Sequence, residues 1–412
     1  MDVENESELC DSIRGRNHSK CKQTPTTHST LSLILAAPVA RYHHIDATRG
    51  VALFLILLSH CIQSFFSTHS QSCLDLTDRA ISAAFSILVH HKSMMMFAFL
   101  FGLSFYFQMK KATGQGVQHP GFQFCIRLLW LACFGLLNSL CDRYDMLIVF
   151  AVYGLCLPLC NRISTQGLVL LAVFFLIHPV TLLTTSLNLA DYAQDFIQFA
   201  VNASQPPDTQ ASSWRELALW NITSRYPTLL SMLYKDGRGA CIIGMFLLGQ
   251  WAGKSQLLLP CNRERLVRWS GILLLLLPIC YGIWKCSPQQ GAKMVFWFLE
   301  SVQAIIYIFI CSLIFQSPWF RPATHLLSTI GKCTLSCYIM QGVLLSYIMY
   351  SWGIGLAESQ SITTKAITAV FIFLFQLAFC HTWLRFFTCG PLEQIWHHLI
   401  LCYKRKQGTH IG

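Results

Sequence analysis

Arg49 and His60 bracket a single apolar run, ATRGVALFLILLSH (residues 47–60). By type they are suited to two kinds of chemistry. An imidazole with an unperturbed pKa near 6.5 can take a proton from a hydroxyl. A guanidinium can hold phosphates or a developing oxyanion. On an α-helix their eleven-residue offset amounts to about 1100°, three turns plus ~20°, and a rise of ~16 Å. Both therefore share one face at different depths. Ionisable groups on a lipid-embedded helix belong on the bundle interior, so the shared face could line a cavity across the membrane. A plainer reading makes Arg49 a snorkelling topology anchor and gives His60 a hydrogen bond to a neighbouring helix. Asp46, three residues before Arg49, either caps the helix start or holds the guanidinium.

Other polar residues fall inside apolar stretches. Arg127 and Asn138 repeat the eleven-residue, same-face spacing, with Arg127 as interfacial anchor or ligand contact and Asn138 as interhelical bond or cavity group. The turn CDRYDML supplies Asp142, Arg143, Tyr144 and Asp145. Of these, Asp145 is the one expected to orient an acceptor or pair with His60, or simply to cap the next helix. Arg238 sits between two glycines in KDGRGA, a turn or a ligand-approach loop. Lys332, in IGKCTLSCYIMQG, reads as a snorkelling side chain or a phosphate contact, and Glu300 as an intramembrane carboxylate. Adjacent His90 and His91 point different ways on a helix, so no metal site is expected. No phosphate-binding glycine loop, zinc cluster or serine nucleophile elbow is present.

The elements that must position these residues follow from composition. With 54% hydrophobic and 12% charged residues, the chain is far more apolar than a soluble domain and reads as an integral membrane protein. The net charge of +11 does not call for nucleic acid, because Lys and Arg gather in the gaps between apolar runs. The nineteen cysteines lie mostly within apolar runs and read as packing, although Cys73 and Cys141 both fall in outer loops and could bridge. A span needs about 20 apolar residues. That rule gives an all-α bundle of about ten transmembrane helices: 47–66, 93–109, 122–140, 145–160, 167–187, 239–254, 268–285, 293–315, 330–350 and 364–386. Residues 79–90 are too short to span. The domain plan is a disordered tail at 1–40, a membrane domain at 41–400 with a hydrophilic loop at 188–238, and a basic tail at 401–412. Short loops on the side shared with the N-terminus, together with the C-terminal tail, carry about twice the Lys and Arg of the short loops opposite. Both termini are therefore expected inside. The 188–238 loop, with sequons at Asn202 and Asn221, would then lie outside.

HIDATRGVALFLILLSH resembles the first helix of the YeiB-like (DUF418-type) family of bacterial membrane proteins. The likeness continues through FAFLFGLSFYFQ, RLLWLACFGLLNSLCDRYDMLIVFAVYGL, GMFLLGQWAGK, LLSTIGKCTLSCYIMQGVL and RFFTCGPLEQIW, over roughly residues 41–400. That family is related to transmembrane acyltransferases of the acyltransferase-3 and heparan-type N-acetyltransferase kinds. The resemblance implies a bundle that moves an acyl group, most simply acetyl, from cytosolic acetyl-CoA or another acyl-CoA to an extracytoplasmic sugar, in a bacterial inner membrane and without a metal. In acyltransferase-3 proteins the first helix carries Arg, ten residues, then His, which Arg49 and His60 match. YeiB-like members commonly have Asn at that histidine, so this chain departs toward the enzymes. The implied roles are His60 as general base with Arg49 and Asp145 beside it. Arg49, Arg127 and Lys332 would hold the acyl-CoA, and Asn138, Arg238 and Asp46 would face the acceptor. Two other classes fit the same residues: a transporter or flippase of an anionic solute, and a non-catalytic scaffold.

Overall fold

The computed structural model describes residues 42–66, 75–142, 145–177, 213–223, 238–286, 289–356 and 361–408. Every regular element among them is helical. In chain order they are α1 (His43–Phe66), α2 (Leu76–Leu88), α3 (Lys92–Gly114), α4 (Pro120–Asn138), α5 (Leu147–Tyr153), α6 (Cys156–Leu159), α7 (Thr165–Ile177), α8 (Arg238–Lys254), α9 (Arg263–Cys286), α10 (Gln289–Phe315), α11 (Arg321–Lys332), α12 (Thr334–Met349), α13 (Ile362–Trp383) and α14 (Pro391–Gly408), with a further helical stretch at 214–223.

Local signals set several of the helix starts. Asp75 accepts the Leu76 N–H before α2, and Ser361 accepts the Thr364 N–H before α13. Proline stands in the first turn of α4 and α11, where its missing N–H costs nothing.

Among the described residues, six stretches are long and apolar enough to cross a membrane: His43–Ile62, Leu76–Gly114, Pro120–Asn138, Pro260–Cys286, Val295–Phe315 and Ile362–Trp383. Three shorter apolar helices, Leu147–Arg162, Thr165–Ile177 and Thr334–Met349, accompany them. The expected count of ten is thus not reproduced, for identifiable reasons. The run at 330–350 divides at Cys333, where the backbone leaves the helical region, into α11 and α12. The run at 145–160 breaks after Tyr153. The run at 167–187 is described only to Ile177. The short segment at 79–90 forms α2, which turns at His90 and His91 into α3. The tail at 1–40, Asn202, Cys73 and most of the 188–238 loop lie outside the described residues.

Asn221 is described, and it is 1% exposed, its amide donating to the Leu140 carbonyl. That burial leaves no room for the glycan its sequon would carry.

Glycines bring the central helices together, as small residues do where lipid offers no hydrophobic drive. A Cβ on Gly102 would collide with the Phe246 backbone, and one on Gly249 with the Phe99 carbonyl, so α3 and α8 cross backbone against backbone. Gly331 meets the Asp46 carbonyl in the same way, joining α11 to α1. α1 is the most enclosed of the six stretches and α9 the least. Arg49 and His60 therefore sit on the most enclosed of these stretches.

Candidate functional site

His60, in the fifth turn of α1, is 7% exposed, and its Nδ1 lies 3.1 Å from Oδ2 of Asp142, itself 6% exposed. The contact has ion-pair distance but lies off the line of a straight hydrogen bond. It turns the Nδ1 edge of the ring toward the carboxylate. Asp142 is placed by the turn that ends α4, where the N–H groups of Cys141 and Asp142 both donate to the Asn138 carbonyl. Asn138 in turn donates from Nδ2 to Oδ1 of Asp145 at 2.9 Å. Pairing with His60 is one of the readings the sequence leaves open for Asp145. Asp142 takes the imidazole, and Asp145 is held by Asn138 a short step further on.

α12 closes this cluster. Gly342 leaves space beside Asn138 and Asp142, since a Cβ there would come within 2.7 Å of Asn138 Oδ1. The Tyr338 hydroxyl accepts the N–H of Met146 at 2.9 Å, satisfying a donor at the start of α5 that no side chain in its own segment caps. The Tyr338 ring stands edge-on to His60, with centroids 6.4 Å apart.

Tyr338 also lines a cavity of about 330 Å³. Its polar rim is formed by Arg49, Ser104, Gln108, Lys332 and Glu393, and its walls by residues such as Phe97, Phe101, Leu131 and Phe150. His60 itself does not line it. Arg49 is held by Asp46 and by the Ser104 hydroxyl at 2.8 Å, so Asp46 serves as the guanidinium's counter-ion. Arg127 donates to Gln108 Oε1 at 2.6 Å and so stands one residue behind the rim. Lys332 is half-buried, and no partner among the described residues engages it. Two or three cations thus face one opening, an arrangement fit for an anionic ligand group.

Glu393 completes the rim from α14. Its carboxylate accepts from the N–H of Leu335 at 2.6 Å and of Ser336 at 3.3 Å, and from the Ser336 hydroxyl. It caps α12 across a gap in sequence, because Cys333, at the cap position, provides no side-chain bond. Burial pushes the Glu393 carboxyl above its ordinary range, and these hydrogen bonds oppose the shift.

Arg238 is not part of this site. It begins α8 with its guanidinium 4.8 Å from the Trp297 ring centroid, near the His91 ring, which packs on Trp297 at 4.7 Å. Nearby, Lys92 and Glu300 form a buried ion pair at 2.8 Å between α3 and α10. Of the eight residues singled out from the sequence, the structure places Arg49 and Lys332 at the cavity, with Asp46 and Arg127 behind, and His60, Asn138 and Asp145 in the cluster beside Tyr338. Asp142, Tyr338, Ser104, Gln108 and Glu393 complete the two groups. Only the acidic turn and the Tyr338 motif carried any sequence signal for them.

Comparison with known proteins agrees with the resemblance carried by the motifs. A family model described as "Protein of unknown function (DUF418)" matches residues 252–403, from the end of α8 into α14, and so includes Lys332, Tyr338 and Glu393. The chain is 25% identical over 386 residues to "Uncharacterized protein YxaH" of Bacillus subtilis (strain 168), covering 85% of this chain and 92% of that relative. The chain is thus similar to the DUF418 family over residues 252–403, and to that relative over most of its length.

Proposed function

We propose that the protein is a membrane acyltransferase that takes an acyl group from acyl-CoA on the Arg49 side and passes it to a sugar hydroxyl or amine on the His60 side. The reading rests on one observation: a cation-rimmed cavity ends at Tyr338, whose ring touches a buried histidine set against a carboxylate. Arg49 and Lys332, with Arg127 behind them, attract the phosphates of the donor. His60 takes the proton as the acceptor oxygen or nitrogen attacks the thioester carbonyl, Asp142 stabilises the imidazolium so formed, and the proton passes to the thiolate as the C–S bond breaks. A positioned base of this kind contributes about 10²–10⁴-fold. On this reading both termini are cytoplasmic, the bilayer is a bacterial inner membrane, and the acceptor is an envelope glycan or lipid-linked sugar. The test is transfer of labelled acetyl from acetyl-CoA to membrane glycans by the protein in proteoliposomes. His60→Ala is expected to abolish transfer while the protein stays monodisperse, and transfer at the wild-type rate would overturn the assignment.

The Lys92–Glu300 pair favours a second reading, a transporter of an anionic solute, because buried intramembrane ion pairs recur along solute and proton paths. That reading requires flux in sealed vesicles with no acyl donor present.

A further inference from the structure

A separate groove of about 440 Å³ opens at the C-terminal end of α13. It is lined by Trp383, Pro391, Gln394, Ile395, His398 and Leu399, and so runs between the last residue of α13 and the first turns of α14. Because α13 is long and apolar enough to span, the groove lies at the level where a membrane-crossing helix ends. Its walls are mostly carbon. The Trp383 ring stacks between Phe379 at 5.9 Å and Phe387 at 4.3 Å, and Ile395 is half exposed. Two of the polar tips in the lining are already spent. The Trp383 indole N–H donates to the Cys389 carbonyl at 3.0 Å, and the Gln394 amide donates to the same oxygen at 3.4 Å. A peptide or a sugar laid along these walls would bury polar groups without partners, which costs free energy. A hydrocarbon chain loses nothing there.

The charge beside the groove is of one sign. Arg385 is exposed in the turn between α13 and α14, and α14 carries Lys404, Arg405 and Lys406 in its last turns. Positions 405 and 406 lie seven residues beyond 398 and 399, so the helical repeat returns them to the groove face about 10 Å further along. From residue 381 onward the sequence has one carboxylate, Glu393. It lines the cavity of Arg49 and Lys332 and accepts the N–H groups of Leu335 and Ser336, so it is engaged elsewhere. An apolar groove at a bilayer boundary with uncompensated positive charge beyond it matches a molecule with a hydrocarbon chain and an anionic head.

We propose that the groove between the end of α13 and α14 seats an anionic phospholipid, with one acyl chain along Trp383, Ile395 and Leu399 and the headgroup toward the basic turns of α14. This goes beyond the acyltransferase reading and does not depend on it.

Each Lys or Arg near an anionic lipid surface contributes about a factor of five in affinity, so two such positions on the groove face give a preference of roughly tenfold or more over a zwitterionic lipid. The experiment is native mass spectrometry of the full chain, delipidated in detergent and titrated with phosphatidylglycerol or with phosphatidylcholine of identical chains. The expected result is one retained equivalent of phosphatidylglycerol, bound at least tenfold more tightly than phosphatidylcholine. Arg405→Gln combined with Lys406→Gln is expected to bring the two lipids within about threefold of each other while phosphatidylcholine binding stays unchanged. Ile395→Trp, which fills the groove from a half-exposed position, is expected to lose the retained lipid with its melting temperature kept. Equal retention of the two lipids by the wild type would overturn the proposal, as would undiminished retention by Ile395→Trp. A dimer that Ile395→Trp converts to monomer, with no lipid retained, would overturn it in favour of a second copy of the chain.

Discussion

Replacing Asp142 with Asn tests the inner cluster most sharply, because it keeps size and removes one charge. In the wild type, Asp142 Oδ2 lies 3.1 Å from His60 Nδ1, with both side chains almost wholly enclosed. When His60 takes a proton from the acceptor, the imidazolium that forms gains about 5 kcal/mol from a carboxylate at this distance, taking an effective dielectric near 20. Asp145 remains nearby and recovers part of that, and the Asn amide oxygen recovers a little more. The net loss is then about 3–4 kcal/mol, which lowers the turnover rate by roughly 100- to 1000-fold. Because Asp142 does not line the cavity, the KM for acyl-CoA should change less than threefold. The assay follows release of the CoA thiol by proteoliposomes supplied with acetyl-CoA and a membrane glycan extract. Asp145→Asn, measured in parallel, should lose far less. If Asp142→Asn turns over within twofold of wild type while Asp145→Asn is inactive, the pairing deduced from the geometry is wrong.

Three further outcomes follow from packing and charge. Gly249→Ala should lower the melting temperature of the purified protein, since overpacking costs about 1–3 kcal/mol and the new methyl would strike the Phe99 carbonyl. Gly271→Ala, with open space around it, should leave the melting temperature unchanged in the same assay. Lys92→Met should destabilise the fold by about 3–5 kcal/mol by leaving Glu300 buried without its cation, and Lys92→Met combined with Glu300→Met should recover most of the loss in thermal unfolding. Burial raises the Glu393 carboxyl above its unfolded value, so its contribution to stability is fully present below the ordinary carboxylate pKa and is lost as pH rises through the higher folded value. Glu393→Gln should flatten that part of the stability–pH profile, and an unaltered profile would count against the assignment.

Helical periodicity alone made part of this arrangement legible. The shared face of Arg49 and His60 follows from their spacing, and both residues do face the bundle interior, one at the cavity rim and one in the cluster beyond Tyr338. The partners were harder to read because they come from turns and from distant helices. Asp142 and Asp145 are three residues apart in an irregular turn, and nothing in their order says which one swings toward α1. That choice is made by the Asn138 side chain, which takes Asp145, and by the close approach that Gly342 allows. Glu393 lies 58 residues from the helix start that it caps, so its role depends on α14 packing against α12. The break at Cys333 was hidden because the apolar run continues across it, so hydropathy registers one span where the backbone forms two helices. Tyr338 carried no periodic signal of its own, since an aromatic on a helix is usually packing. Its role appears only once Met146 and His60 lie on either side of it.

The account stands or falls on where the thioester sits relative to His60. A structure of the protein in nanodiscs with a non-hydrolysable acetyl-CoA analogue measures this directly. The expected result is phosphates beside Arg49 and Lys332 and the carbonyl carbon at Tyr338, with room for an acceptor atom about 3–3.5 Å away and within reach of the His60 ring. An analogue bound elsewhere, or one whose carbonyl is walled off from His60 by the Tyr338 ring, would contradict it.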